Sequence, residues 1–512
     1  MFDLILQGLE LIANPVSIGA ALAGLAAGIL VGGLPGLTAT MAVAVLAPFT
    51  FLMDATIGIP FLLGVYKGAI YGGSIPAIVI NTPGTAAAAA TAIDGHILAK
   101  RGQARRALEM SLYASVIGDM LATLVLIFVA APLATIALKF SSPEFTMLFL
   151  FSLTMVAAVS GDSLVKGLIS TALGIGLAIV GLDPMSGQMR FTFGNLDLMG
   201  GVSLVPLLIG MFALSEVLLQ AEQGVRKLDV AGLEANEKGA SWQDVKSSLR
   251  TIVRSSGVGI ALGALPGLGA EISCWIAYGL ARKRSKKPQE FGKGSIEGVA
   301  AAEAGNNAVC PAALIPMLVF GIPGDTITAV LLGAFMAQGL LPGPLLFQKH
   351  GDVLYGLFAL LVFTNILLVF FGYFAIRYLR RIALIPGGLL YPVVTVMCFA
   401  GAFAVNSSFF DLIIMVAGGA GGYLMRKTGV PIPPLVIAML LAPGLENALR
   451  QSLAFSDGNL LVFVSRPISA GIFALLVGAF VLAGYAAWKK RKAKETPRRP
   501  VAEESQSLTN GG

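Results

Sequence analysis

The residues best placed to do chemistry are polar groups set against proline and glycine inside apolar sequence. Asn81, Thr82, Pro83, Gly84 and Thr85 form one such string; Gly321, Pro323, Gly324, Asp325 and Thr326 form a second. Proline lacks a backbone donor and clashes with the preceding turn, and glycine permits a sharp reversal. Each string therefore predicts a helix that stops within an apolar run. A stopped helix leaves terminal N–H and C=O groups free. Such groups are tolerated at membrane depth where they line a polar cavity. There a helix N-terminus favours an anion, whereas freed carbonyls favour a cation such as sodium. Thr82–Thr85, just before the alanine run 86–90, reads as an N-terminal cap facing a carboxylate. A cap with no ligand is the plainer alternative. Asp325 stands where Thr85 stands in the first string. As an acid flanked by apolar sequence it is expected to serve a coupling cation, or else only to cap its helix.

Further polar residues surround the two strings. Glu303, Asn306 and Asn307 fall on one helical face, which predicts a polar stripe lining a pathway. The stretch Tyr71–Gly72–Gly73–Ser74 matches them by order, and Ser74 joins the substrate-binding set. Lys67 lies mid-way along an apolar span. It would attract a substrate carboxylate, or else snorkel or pair with Asp54 or Asp119. Asp119 and Glu271 are additional acids within apolar sequence, with Glu271 the stronger candidate. Ion coupling is thus assigned to Asp325, Glu303, Glu271 and Gly321. The helix breaks are assigned to Gly33, Pro35, Gly36, Pro266 and Gly267. No HExxH, Walker A or GxSxG motif occurs, and Cys274, Cys310 and Cys398 have no partner at metal spacing. Neither a catalytic residue nor a cofactor is expected, and the only metal expected is sodium. An enzyme is disfavoured.

These side chains need apolar elements to hold them. Of 512 residues, 56% are hydrophobic and 12% charged, against about 25% charged in soluble domains. A soluble globule must clothe its surface with polar groups, whereas a bilayer removes that requirement. The composition predicts an all-α integral membrane protein, a polytopic helical bundle. Apolar windows fall at about 16–34, 38–53, 57–80, 107–138, 144–160, 163–183 and 201–221. A second set covers 252–265, 268–281, 298–321, 324–341, 352–376, 384–404, 408–425, 431–445 and 463–488. The domains expected are a first repeat with connecting spans (1–221), a polar linker (222–250), a second repeat with C-terminal spans (251–488) and a basic, polar tail (489–512). The basic clusters at 100–106, 226–254, 282–287, 377–381, 426–427 and 489–494 all fit one side of the membrane. By the positive-inside rule that side is the cytoplasm, which also receives the C-terminus. The net charge of +7 is then topology and calls for no nucleic acid. With no basic n-region at the N-terminus, insertion is expected to rely on the first span.

The strings belong to a duplication. GGLPGL at 32–37 recurs as GALPGL at 263–268, with Pro266 lying 231 positions after Pro35. IPAIVINTPGT from Ile75 recurs as IPMLVFGIPGD from Ile315, so Pro76 and Pro83 align with Pro316 and Pro323, 240 positions on. An insertion in the basic loop near 281–293 accounts for the different offsets. Broken segments at matching places in two halves point to a transporter binding site. The first copy is left through the basic cluster 100–106, and the second is approached through Arg250 and Arg254. This opposite sidedness favours an inverted repeat of Pro/Gly-broken helices or re-entrant hairpins.

The runs KGAIYGGSIPAIVINTPGTAAAAATAIDG (67–95), GALPGLGAE (263–271) and EGVAAAEAGNNAVCPAALIPMLVFGIPGD (297–325) resemble the large membrane subunit of the tripartite tricarboxylate transporter family. The resemblance covers roughly residues 15–450. It implies a permease in the bacterial inner membrane, partnered by a small membrane subunit and a periplasmic solute-binding protein. It further implies ion-driven carboxylate import, with sodium the usual ion. The alternatives are an autonomous secondary transporter or channel for organic anions, and a membrane-integral enzyme, which would want a nucleophile, dyad or metal set.

Overall fold

The computed structural model describes residues 14–159, 163–223, 238–378 and 387–478, with positions 7, 8, 10 and 481. The tail 489–512, residues 224–237 of the polar linker and the basic residues Arg226, Arg380 and Arg381 lie outside the described residues. Helices dominate. The sole sheet among the described residues is a two-residue antiparallel pair, β1 (Gly181–Leu182) with β2 (Met189–Arg190). Six helical stretches are long and apolar enough to cross a membrane. With the shorter apolar helices they form a polytopic bundle.

The chain opens with α1 (Pro15–Gly32), α2 (Ala39–Thr50), α3 (Ala55–Gly72), α4 (Ser74–Ile80) and α5 (Ala89–Lys100). Then come the long α6 (Ala104–Ala137), α7 (Ser142–Val159) and α8 (Leu164–Ala178). After the sheet, α9 (Leu204–Leu208) passes through a π-helical stretch into α10 (Ser215–Gln223). The second copy comprises α11 (Trp242–Gly263), α12 (Gly269–Arg284), α13 (Ile296–Asn307), α14 (Val309–Phe320) and α15 (Thr326–Ala337). The remaining helices used below are α16 (Gly351–Tyr378), α17 (Gly387–Asn406), α18 (Phe409–Thr428) and α19 (Pro433–Phe455).

Glycine sets the closest packing. A Cβ on Gly24, Gly28 or Gly32 would fall 2.0–2.3 Å from the carbonyls of Phe61, Val65 and Ala69, and one on Gly64, Gly68 or Gly72 would fall 2.3–2.6 Å from those of Ala21, Leu25 and Ile29. Two glycine stripes at four-residue spacing therefore let α1 and α3 touch backbone to backbone. The paired numbers rise together, so the two helices run parallel. Between them α2 must return, with Thr50 against Gly58. At 12 residues it is about 18 Å long, too short to cross a bilayer. The apolar window 38–53 is thus a half-helix, and α1–α2 is a hairpin with GGLPGL at its tip. The second copy repeats this. Gly259 packs on Gly305 and Gly263 on Val309, so α11 runs parallel to α13–α14, and α12 returns. The returning arm has 16 residues instead of 12. The loop after it runs 285–295 instead of 51–54, where the offset difference places the insertion.

The helix α11 starts ten residues earlier than the apolar window at 252. Ser241 and Asp244 form a reciprocal capping box that nucleates it within polar sequence. Arg106 bonds Asp244 at 3.1 and 2.5 Å and holds its carboxyl below the usual range.

Candidate functional site

The two Pro-Gly strings take the same backbone path. Asn81 (φ 52°) and Gly321 (φ 69°) both adopt the left-handed conformation that ends a helix. The next N–H, of Thr82 or Ile322, then reaches back to the carbonyl of Pro76 or Pro316, at 3.3 and 3.2 Å. These prolines are the aligned pair. Each chain then runs extended to Thr85 or Asp325 before a new helix begins. On the way Gly84 presses on Gly32 and Gly324 on Gly263. A Cβ would lie 2.1 and 2.7 Å from those carbonyls. Each Pro-Gly string therefore seats on the last helical residue before its own GxLPGL turn. Within those turns Gly36 (φ 87°) and Gly267 (φ 84°) are both left-handed, a conformation that a Cβ disfavours.

This path sets helix N-termini around one cavity of about 390 Å³. Its lining includes Thr38–Thr40 at the start of α2, Thr85–Ala87 before α5, Gly267–Ile272 at the start of α12 and Asp325–Ile327 at the start of α15. Pro431 and Pro433, at the start of α19, close another wall. The helices approach in two pairs. Thr40 meets Thr326 at 3.1 Å and Thr50 meets Gln338 at 3.1 Å, so α2 and α15 run parallel. Cys274 meets Ala90 and Tyr278 bonds Asp94 at 2.8 Å, so α12 and α5 run parallel. The pairs oppose each other. Tyr66 bonds Asp325 and Gly58 touches Gln338, which makes α15 antiparallel to α3. Ser74 and Thr91 share Glu303, and Ile78 contacts Gly95, which makes α5 parallel to α4.

Free N–H groups at helix starts attract an anion, and the dipoles add to the effect, although at α2 the Thr38 hydroxyl already accepts from the Met41 N–H and at α15 Asp325 accepts from the Thr328 N–H. Among the described residues no Lys, Arg or His lines the cavity, and its ionisable residues are Glu271 and Asp325. Asp325 is heavily engaged. Its Oδ1 accepts from the Thr328 N–H and hydroxyl at 2.7 and 2.8 Å, and its Oδ2 accepts from Tyr66 Oη at 2.8 Å. Thr85, its counterpart, caps nothing, and its buried Oγ1 has no hydrogen-bond partner.

Of the sequence-assigned residues, Thr85, Gly267, Glu271, Asp325 and Thr326 line the cavity. Pro83, Gly84, Pro323 and Gly324 shape the extended segments behind it, and Gly33, Pro35, Gly36 and Pro266 form the hairpin tips. Asn81 and Gly321 are the turns themselves; Asn81 is exposed, and Thr82 bonds the Ile80 carbonyl. Lys67 does not line the cavity. It is buried against Asp119 at 2.8 Å and donates to the Leu361 carbonyl at 2.8 Å, the pairing alternative of the sequence reading. Asp119 also accepts from Thr123 and Asn365.

A second polar cluster is wholly buried. Glu303 Oε1 accepts from Ser74 Oγ at 2.6 Å and from Thr91 Oγ1. Its Oε2 accepts from Ser115 Oγ at 2.9 Å and Asn307 Nδ2 at 3.3 Å. Asn306 is fully buried, and neither atom of its amide has a partner.

Sequence reading missed several parts. Tyr66 gives no local signal, because only the fold brings it to Asp325. Asp94 receives the N–H groups of Gly294 and Ser295 at 2.8 and 2.9 Å, ahead of α13. The four-residue glycine spacing of α1 and α3 was a readable signal of close packing.

The sequence profile described as "Tripartite tricarboxylate transporter TctA family" matches residues 18–437. Among curated proteins, an "Uncharacterized 52.8 kDa protein in TAR-I ttuC' 3'region" of Agrobacterium vitis is 36% identical over 492 residues, covering 94% of this chain and 97% of that one. An "Uncharacterized protein in TAR-II ttuC' 3'region" of the same organism is 34% identical over 225 residues, covering 44% of this chain and 93% of that one. No solved structure matches. The duplicated Pro-Gly units, the helix N-termini they bring together and a profile match over most of the chain agree: this multi-pass membrane protein belongs to the tripartite tricarboxylate transporter TctA family.

Proposed function

We propose that the chain is the permease subunit of a sodium-coupled, binding-protein-dependent importer of carboxylates such as tricarboxylates. The cavity ringed by helix N-termini would be the substrate site. The observation that carries this is the convergence of four half-helix N-termini, two from each copy, on a cavity without a basic side chain. Backbone N–H groups at the starts of α2, α5, α12 and α15 would hold the carboxylate oxygens, with Thr85 Oγ1 as a side-chain donor. A carboxylate beside Glu271 and Asp325 needs added positive charge, which a co-transported cation supplies. The opposed pairs α2–α15 and α5–α12 support an inverted relation between the copies about the membrane midplane. With the positive-inside rule, the protein would sit in the bacterial inner membrane with its C-terminus in the cytoplasm. A small membrane subunit and a periplasmic solute-binding protein would complete the system. Membership of a transporter family supports a non-enzymatic role.

The test is uptake of labelled citrate and other carboxylates into proteoliposomes holding the chain with its small subunit, with binding protein outside. Uptake should require the binding protein and an inward sodium gradient. Uptake without the binding protein would sink the tripartite part of the reading. Uptake unaffected by sodium would sink the coupling part.

A further inference from the structure

The cluster around Glu303 is not part of the cavity lining, and its composition asks for a ligand of its own. Glu303 is fully buried. Every side chain that bonds its carboxylate is neutral, a set of hydroxyls and one amide. Lys67, the buried cation on the facing part of the bundle, is taken by Asp119. A buried carboxylate left without a counter-charge is costly, and neutral donors offset that cost only in part.

The surroundings hold unspent oxygen. Asn306 follows Glu303 by three residues, which puts the two side chains on neighbouring positions of one helix face. Both of its amide atoms are buried without a partner. So is the hydroxyl of Tyr71. Tyr71 lies in the same layer, three residues before Ser74, and Ser111, one turn before Ser115 on α6, is a further hydroxyl at the Glu303 carboxylate. Native interiors leave few such atoms unpaired, and a group of them around one acid points to a missing partner. The backbone adds acceptors. Pro76 cannot donate to the carbonyl of Gly72, nor Pro311 to that of Asn307, so both helices lose a bond in this layer.

We propose that Glu303, with the hydroxyl oxygens of Ser74, Thr91 and Ser115 and the amide oxygen of Asn306, forms a buried sodium site separate from the anion cavity. This deepens the ion-coupled reading above and rests on it for its transport role. A hard monovalent cation takes oxygen ligands, and one carboxylate balances its charge. A divalent ion would call for more acids than this one. A proton would need a single oxygen and would leave the Asn306 amide unexplained. On binding, each hydroxyl turns its proton away from the carboxylate and presents a lone pair to the ion. In the helices, Thr91 and Ser115 can redirect that proton to a carbonyl one turn earlier.

The position couples the site to the cavity. Ser74 adjoins Gly73, whose carbonyl accepts the Gly84 N–H at 3.0 Å, and Gly84 leads into Thr85 in the cavity wall. A cation that draws Ser74 toward Glu303 therefore fixes the backbone that presents N–H groups to the anion. Its ligands come from α4 and α5 of the first copy, α13 of the second, and α6.

The experiment is thermal unfolding of the purified full-length protein in detergent. Sodium chloride is titrated against choline chloride at constant ionic strength, with potassium chloride in a parallel arm. Wild type should gain stability with sodium and not with potassium. Glu303→Gln should lose that gain while remaining monodisperse. Thr91→Ala and Asn306→Ala keep the carboxylate and should raise the half-saturating sodium concentration by about tenfold or more. If Glu303→Gln does not fold, these two variants carry the test. No sodium-dependent gain in wild type overturns the proposal. So does a gain that survives in Glu303→Gln, one lost in Glu271→Gln instead, one produced equally by potassium, or unchanged sodium midpoints in both ligand variants. The readout needs neither substrate nor binding protein. A sodium gain that disappears in Glu303→Gln, beside uptake that ignores sodium, would leave the site standing and remove only the coupling reading.

Discussion

Lys67 and Glu303 are buried charges ahead of the helix break in each copy, although the 240-position offset of the Pro-Gly strings sets Lys67 against Asn307. Lys67 precedes the break at Gly73, and Glu303 precedes the break at Ala308. Both are buried and both face α6, where Ser115 and Asp119 lie one turn apart. Their signs are opposite, and so are their settings. Lys67 meets a carboxylate and a backbone carbonyl, which settles its charge within the fold. Glu303 meets only neutral donors. One copy has closed its buried charge into structure, and the other leaves its charge to be balanced by something bound. A duplicated backbone has thus been given two chemical uses.

The largest expected effect breaks the closed side of this comparison. Lys67→Met or Asp119→Ala alone should destabilise the protein by about 3–5 kcal/mol, because each leaves a lone buried charge. The double variant Lys67→Met/Asp119→Leu should recover most of that loss. Thermal unfolding in detergent measures it, and a double variant no better than the singles would refute the pairing account. Glu303→Gln, by contrast, should shift unfolding in sodium-free buffer by no more than about 1 kcal/mol, since it replaces an uncompensated charge with a neutral hydrogen-bonding group.

The shared backbone is tested next. Gly84→Ala and Gly324→Ala each add a methyl within 2.1–2.7 Å of a backbone carbonyl, and overpacking of this kind costs about 1–3 kcal/mol or more. Both should abolish uptake, with Gly84→Ala the more damaging. Normal uptake in either would show that the extended segments do not need this seat.

The cap positions should then separate. Asp325→Ala removes a capping box and orphans the Tyr66 hydroxyl, for a loss of about 2–3 kcal/mol. Thr85→Ala removes a hydroxyl without a partner and should change stability by less than about 0.5 kcal/mol, yet weaken carboxylate binding measured by calorimetry. Equal destabilisation by the two would erase the difference between copies.

The smallest effect concerns how the copies begin. The first opens on the Asn14 cap, whereas the second opens on Ser241 and Asp244, tied to Arg106. Arg106 lowers the Asp244 carboxyl in the folded state. Its contribution is therefore full above the unfolded value near about pH 4 and fades as the pH falls through the lower folded value. For a partly exposed pair it should amount to under about 1 kcal/mol. Unfolding of wild type and Arg106→Gln should accordingly differ at neutral pH and converge in acid. A constant gap across that range would contradict the assignment.

Much of this was legible before any coordinates. Hydrophobic content declared the bilayer, because no soluble surface can be made from so few polar residues. The GxLPGL and IPx₆PG pairs declared both the duplication and the helix breaks, since proline and glycine act on their own backbone wherever they stand. The sequence also placed Thr85, Glu271 and Asp325 near a site, as polar groups inside apolar runs. It left Lys67 open between substrate and Asp119, and it grouped Glu303 with the cavity acids. Those choices depend on which helices meet. Asp119 lies 52 positions from Lys67, and Ser74 lies 229 from Glu303, so no local pattern encodes either contact. Only the packing of α3 and α13 on α6 gave one buried charge a partner and left the other with hydroxyls. Local backbone chemistry is written in neighbouring residues, whereas the balance of buried charge is decided by which distant segments the fold brings together.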